Sequence, residues 1–349
     1  MHNYINLGKP NSSEFLLLTG DGKNGLNHLK HWVPEFLKAK IKFSILVRSK
    51  ELFKLVQKEY RMLDVLLAES ALDVEAILSD LSCLKAIFFM SNPSNNIHVL
   101  RFNNYKHIFL GSDNSDRDAQ VTKIFRAYDE LWLSSQSSID KIKSKINIED
   151  LVVRKVGKPQ FKELLESFDK QSPKSVLIVA SSENNIYSIS NILVKIIHSI
   201  PEDLHIKIVL DQSINSKNIL FKDFKSQLNE FNWIKGRNCK IYDSLMDDFI
   251  TNSDYIICDI NNYQQKFLAA DALICLYTPN SISPETLFEN KYISFEGIAQ
   301  FSIEDELECI FTEYENLYMR QKEFSEYWLG NSYTMKDEFA ANLQQLSVI

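Results

Sequence analysis

At 349 residues the chain exceeds what one ordinary hydrophobic core supports and points to two domains of about 150 residues each. With 45% hydrophobic and 11% aromatic residues it can fill both cores, which excludes a disordered protein. A net charge of −7 and a pI near 5.6 exclude a general nucleic-acid binder, because phosphate recognition depends on a basic face.

The apolar run Glu14 to Thr19 ends in Gly20-Asp-Gly22-Lys-Asn-Gly25, a buried strand followed by a glycine-bearing loop. The glycine spacing is not that of a dinucleotide fingerprint. Leu26 to Lys38 reads as a helix with Leu29, Trp32, Val33 and Phe36-Leu37 on one side, and Pro34 predicts a kink or break within it. Strands at 41–47, 62–67 and 84–90 alternate with helices at 51–59 and 73–81, the pattern of a parallel sheet with right-handed crossovers. Between Lys38 and Arg61 lie eight cationic residues against Glu51 and Glu59. That cluster suits an anionic acceptor or a membrane surface, or simply a solvated helix face.

His107-Ile-Phe-Leu-Gly111 reads as a strand running into the polar loop Ser112-Asp-Asn-Ser-Asp116-Arg117, with a helix entered near Asp118. Ser115 and Asp116 suit a helix N-cap. Loops at the carboxyl end of a buried strand are where open α/β sheets hold ligands. The segments Asn92-Pro-Ser-Asn-Asn96-Ile-His98-Val-Leu-Arg101, His107 to Arg117 and Phe125-Arg-Ala-Tyr-Asp129 resemble the CDP-glycerol glycerophosphotransferase family of teichoic-acid and capsule polymerases. Gly111, Ser115, Asp116, Arg126, Ala127, Tyr128 and Asp129 fit its pattern, with Arg117 where lysine is usual. The family's catalytic His-Gly falls on Ser112-Asp113, and a serine cannot take a proton near neutral pH as an imidazole can.

Strands at 130–134 and 151–156 flank a helix at 137–145, and Gly157-Lys-Pro159-Gln160 marks the junction between domains. A second series follows. Strands at 175–180, 205–210, 239–242 and 255–258 alternate with helices at 186–197 and 220–231, and a helical tail runs from Glu313. The stretch Ser253-Asp254 to Asp259-Ile-Asn261-Asn262 reads as a strand ending at a helix start. Such a turn forms an anion site suited to a pyrophosphate, or is an ordinary capped turn. The resemblance implies donor contacts there from Asp259, Asn261 and Asn262, and from Ser181, Ser182 and Glu183 after the strand at 175–180. Gln212 stands where the family has a second histidine.

The fold expected is therefore α/β with two doubly wound, Rossmann-like parallel-sheet domains in the GT-B architecture. An acceptor-side domain is expected at 1–160, a nucleotide-donor domain at 172–312, and helices at 313–349 packed back on the first domain. The resemblance implies a cytoplasmic transferase of cell-surface polysaccharide or teichoic-acid-type polymer synthesis, moving a glycerophosphate or sugar group from a CDP- or UDP-linked donor to a polymer or lipid-linked acceptor hydroxyl. Asp113 or Asp116, beside Ser112, would be the catalytic base, while Arg117 and Arg126 would steady the phosphates. With Ser112 and Gln212 in place of both histidines, the usual glycerophosphotransferase activity is expected to be lacking. The alternative is a catalytically inactive GT-B scaffold serving as a partner or regulatory subunit. No cofactor is expected beyond the donor. The odd, scattered cysteines 83, 239, 258, 275 and 309 predict reduced thiols and no zinc site. No run approaches the length of a spanning helix, so contact with the inner face of the membrane would be peripheral, through Lys38 to Arg61.

Overall fold

The computed structural model describes residues 12–20, 22–91, 94–110, 123–161, 174–181, 192–211, 239–242, 244–259, 264–270, 272–278, 297–302, 307–330 and 332–348. The chain divides into two compact units, 1–160 together with 328–349, and 161–327.

The first unit is built on β1 (Phe15–Thr19), α1 (Gly25–Lys38), β2 (Phe43–Val47), α2 (Lys50–Glu59), β3 (Asp64–Leu67), α3 (Ala71–Asp80), β4 (Ala86–Phe89), α4 (Ser94–Ile97), β5 (Lys106–Leu110), β6 (Glu130–Leu133), α5 (Gln136–Lys143) and β7 (Val152–Lys155). Its seven strands pair in the order β3-β2-β1-β4-β5-β6-β7, each pair parallel. Strands such as Phe15–Thr19 are apolar at successive positions because both faces of the sheet are covered. One face carries α1, α2 and the helix Ser332–Val348, which supplies Phe339, Leu343 and Leu346 to a shared core. Phe339 packs against Trp32, Phe36 and Trp132 with centroids 5.2, 5.4 and 5.6 Å apart. The opposite face carries α3 and α5.

Polar contacts fix that last helix. Arg154 Nη1 donates to Asn342 Oδ1 at 2.8 Å, and Lys85 Nζ donates to the Ser347 carbonyl. The other side of Arg154 meets Glu130, a side chain only 3% exposed that takes bonds from Arg154 Nε at 2.9 Å, Lys106 Nζ at 3.0 Å and Trp132 Nε1 at 2.9 Å. Burial opposes ionisation of Glu130, but these donors more than offset it and hold its carboxyl below the usual carboxylate value.

The second unit contains β8 (Ser175–Ser181), β9 (His205–Asp211), β10 (Cys239–Tyr242), β11 (Tyr255–Cys258), β12 (Leu273–Tyr277) and β13 (Ala299–Phe301), paired in parallel in the order β10-β9-β8-β11-β12-β13. Strand β13 pairs with β12 only from Cys275 onward. Below that point Gln321, 2% exposed on the helix Tyr314–Leu329, takes the place of the missing backbone. Its Oε1 accepts from Ile274 N–H and its Nε2 donates to the Ala272 carbonyl, both at 2.7 Å.

Two local expectations are revised. Helix α1 runs unbroken through Pro34, because burying Leu29, Trp32, Val33 and Phe36 at roughly 1.5–3 kcal/mol each outweighs the roughly 3 kcal/mol a proline costs inside a helix. Met62 stays outside β3, 95% exposed on the turn before it. A short helix and a 3-10 turn, His98–Arg101, occupy the stretch after β4. Strands β12 and β13 extend the second sheet beyond the strands expected from the sequence. The helices expected near Asp118 and at 220–231 lie outside the described residues.

Candidate functional site

In each sheet the chain starts from a central strand, winds outward in one direction, then returns to the neighbouring strand and winds the other way. The reversal falls between β1 and β4 in the first sheet and between β8 and β11 in the second. At such switch points the flanking loops leave in opposite directions and open a crevice at the carboxyl ends of the strands, where open α/β sheets hold ligands.

In the first unit Thr19 ends β1, and Ser91 follows β4 closely, with Leu18 and Phe89 in register and Met90 N–H donating to the Leu18 carbonyl at 3.2 Å. Asn96 lies on the short helix that comes next and is 1% exposed. Thr19 Oγ1, Ser91 Oγ and both amide atoms of Asn96 are buried and find no hydrogen-bond partner among the described residues. Buried polar groups are nearly always satisfied, so groups left open at a switch point call for an explanation. Gly25 opens α1 against this edge. A Cβ there would lie 2.6 Å from Thr19 Oγ1 and 2.9 Å from Leu52 Cδ2, so only glycine lets the helix start approach the strand end. The helix's N-cap residue, Asn24, makes no side-chain capping bond.

In the second unit the register of Cys258 with Val179 sets Asp259, 1% exposed, beyond the end of β11 and close to Ser181 at the end of β8. Two donor-side residues named from the sequence thus share one switch point. Ser182, Glu183, Asn261 and Asn262 lie outside the described residues, as do Ser112, Asp113, Asp116, Arg117 and Gln212. Arg126 is exposed on the 3-10 turn Lys123–Ala127 that feeds the amino end of β6, and the structure does not group it with the carboxyl-edge residues of its own unit.

The amino edges are closed. Asp129 accepts from His107 N–H at 2.7 Å while its own N–H donates to the His107 carbonyl, so β6 is locked to β5. Asp254 does the same for β11 and β8. One carboxylate oxygen, Oδ2, accepts from the N–H groups of Lys174 and Ser175 and from Ser175 Oγ, each at 2.9 Å. Asp129 and Asp254, two of the residues that carry the sequence resemblance, therefore act as strand clips, while the Ser253 hydroxyl donates to the Phe249 carbonyl at 2.6 Å and ties down the end of the helix Asp247–Thr251. His107 is a core residue. Its Nε2 lies 3.1 Å from the Phe102 carbonyl, its ring packs on Phe89, and burial pushes its pKa down against the pull of that carbonyl and of Asp129. Cys258 and Cys275 are buried thiols whose pKa is raised by desolvation. Among the described residues no group of His, Cys, Asp and Glu has the arrangement of a metal site.

No protein-family model matches the chain, and no curated protein sequence matches it. Solved structures do match. A UDP-N-acetylglucosamine 2-epimerase aligns over 96% of this chain and 97% of its own, at 9% identity and a TM-score of 0.57. MurG of Acinetobacter baumannii aligns over 95% and 99%, at 11% identity and a TM-score of 0.57. The UDP-GlcNAc 2-epimerase of Neisseria meningitidis, solved bound to UDP-GlcNAc, aligns over 96% and 99%, at 11% identity and a TM-score of 0.54.

The fold is GT-B.

With GT-B settled by both sheets and by these neighbours, the finer resemblance to glycerophosphotransferases rests on the sequence motifs alone. Sequence reasoning assigned no role to Thr19, Gly25, Ser91 or Asn96. The signals present were a buried strand ending in Thr-Gly and an asparagine pair after β4, neither of which says by itself that its polar atoms stay unpaired.

Proposed function

We propose that this GT-B chain is a nucleotide-sugar-dependent transferase that binds a UDP- or CDP-linked donor at the switch point of its second sheet and passes the activated group to an acceptor hydroxyl held at the switch point of its first. The observation that carries this reading is the group of polar atoms at the carboxyl edge of the first sheet. Thr19, Ser91 and Asn96 place buried hydroxyl and amide atoms there that have no hydrogen-bond partner among the described residues. Hydroxyls and an amide, each able to donate and accept, suit a hydroxylated acceptor.

On the donor side, Asp259 at the end of β11 leads into Asn261 and Asn262, whose amides can donate to a pyrophosphate. Asp113 or Asp116 would take the acceptor's proton, and a carboxylate in that role needs burial to raise its pKa toward neutrality. Arg117 remains the candidate for the donor phosphates. The resemblance carried by the motifs from Asn92 to Asp129 supports a role in cell-surface polymer synthesis, with glycerophosphate or a sugar as the transferred group. A second reading, a scaffold that binds donor without turnover, is favoured by one observation: serine and glutamine, at 112 and 212, stand where the family resemblance calls for histidines.

Calorimetry with UDP and CDP tests the donor site. Asn262→Leu is expected to weaken binding by roughly 1–3 kcal/mol as a charged phosphate loses its donor. No affinity for either nucleotide in the unaltered protein would overturn the reading. Acceptor-dependent release of nucleotide then separates transferase from scaffold.

A further inference from the structure

We propose that the amino edge of the first sheet, at the ends of α1 and α2, is a docking surface for an anionic lipid bilayer. The proposal is independent of the nucleotide reading and rests on a different side of the unit.

Helices α1 and α2 lie on the same face of the sheet and are bridged by Lys30 and Glu59 at 3.8 Å. Each runs back from the carboxyl edge of the sheet, so their last turns, the start of β2 and the turn before β3 meet at the amino edge. Lys40, Lys42, Lys54, Lys58 and Arg61 are all exposed there or along the outer face of α2. The nearby carboxylates are mostly engaged with other cations. Glu35 pairs with Lys38, Glu51 with Lys23, Glu59 with Lys30 and Glu69 with Lys50, leaving the exposed Asp64 and the half-buried Glu14, whose backbone N–H donates to the Lys42 carbonyl, as the local acidic exceptions. The five cations named have no ion-pair partner among the described residues, in a chain whose net charge is −7.

Apolar side chains stand among them. Met62 is 95% exposed, Leu37 50% and Leu55 36%. On α2 Lys54 and Lys58 lie one turn apart with Leu55 beside them, and Arg61 and Met62 are exposed on the turn that follows the helix. Cations beside protruding apolar groups complement a bilayer, where lysines meet anionic headgroups and methionine and leucine enter below them. A nucleic-acid backbone would engage the cations and leave Met62 and Leu37 without a function, which decides for lipid. Docking here leaves the carboxyl edge of the same sheet, with Thr19, Ser91 and Asn96, turned away from the contact.

The test is cosedimentation of the full chain with vesicles of phosphatidylcholine alone and of phosphatidylcholine with phosphatidylglycerol. Binding is expected only with phosphatidylglycerol and should fall steeply as salt rises. The triple variant Lys54→Gln/Lys58→Gln/Arg61→Gln should lower partitioning on the order of a hundredfold, given the energy each basic residue contributes near an anionic surface. Leu37→Ser/Met62→Ser should lower it with the salt dependence kept, and Lys141→Gln/Lys143→Gln on α5 should leave it unchanged. All are surface changes, and unaltered thermal melting confirms that they fold. No binding to phosphatidylglycerol vesicles, equal binding to both vesicle types, an equal loss in the α5 variant, or binding to duplex DNA but not to vesicles would each overturn the proposal.

Discussion

Gln321 bonds to Ile274 as a residue of a neighbouring strand would, its side-chain Oε1 accepting the Ile274 N–H at 2.7 Å while Nε2 returns a bond to the Ala272 carbonyl. A helix thus completes a sheet edge that β13 is too short to cover. Gln321→Leu keeps the volume and strands a buried donor and a buried acceptor. It should destabilise the second unit by roughly 2–4 kcal/mol, measured as a shift of its urea midpoint. Gln321→Glu keeps the acceptor for Ile274 but faces a carboxylate toward the Ala272 carbonyl, so it should also destabilise. A neutral Gln321→Leu would show that the amide contributes nothing there.

Asp254 gathers three donors at the amino edge of β8 and β11. Asp254→Ala is expected to cost roughly 2–4 kcal/mol, since bonds to a charged acceptor are the stronger kind. In hydrogen exchange the Lys174 and Ser175 amides should lose protection, while amides of the first sheet keep theirs. Affinity for UDP in the folded fraction should not change, because this edge lies opposite the proposed donor site.

Glu130 is held ionised by Trp132, Arg154 and Lys106. Its folded pKa is lowered, so its contribution is fully present above the ordinary carboxylate value and is lost as pH falls through the folded one. Glu130→Ala should cost about 2–3 kcal/mol at neutral pH, at the low end for a broken pair because Lys106 and Arg154 keep access to water. Its deficit should shrink in acid, where the native carboxylate is protonated too. Denaturant midpoints of both proteins across the acid range check this.

His107 has its pKa lowered by burial. Stability linked to it is complete above the unfolded histidine value of about 6.5 and falls away as pH drops toward the folded value, because the unfolded chain binds the proton more readily. Between pH 7.5 and pH 5 the unaltered protein should therefore lose more stability than His107→Gln. Parallel losses would remove the histidine from the account.

Asn96 carries an amide that is buried and without partners among the described residues. Asn96→Leu is accordingly expected to leave stability unchanged or raise it by about 1 kcal/mol while lowering acceptor-dependent turnover. Thermal melting and product release, measured on the same preparation, decide. A marked loss of stability would show that the amide is satisfied in the folded protein.

Much of this molecule is legible in its sequence. Runs such as Phe15-Leu-Leu-Leu-Thr19, Ser175-Val-Leu-Ile-Val-Ala180 and Tyr255-Ile-Ile-Cys258 are apolar at consecutive positions, which only a strand covered on both faces tolerates. Their alternation with amphipathic helices sets parallel sheets and right-handed crossovers. These signals are local, since they depend on spacing along the chain and on backbone geometry. What packing alone decided is which strands are neighbours: β1 beside β4 and β8 beside β11, each pair bringing together segments about seventy to eighty residues apart in the chain. That choice makes Asp129 and Asp254 strand clips, enlists Gln321 as a substitute for β13 and sets Thr19 near Ser91 with their hydroxyls unpaired among the described residues. An aspartate, a glutamine or a threonine has the same composition wherever it falls. Whether it closes an edge or is left open to a ligand depends on the distant backbone that folding brings beside it.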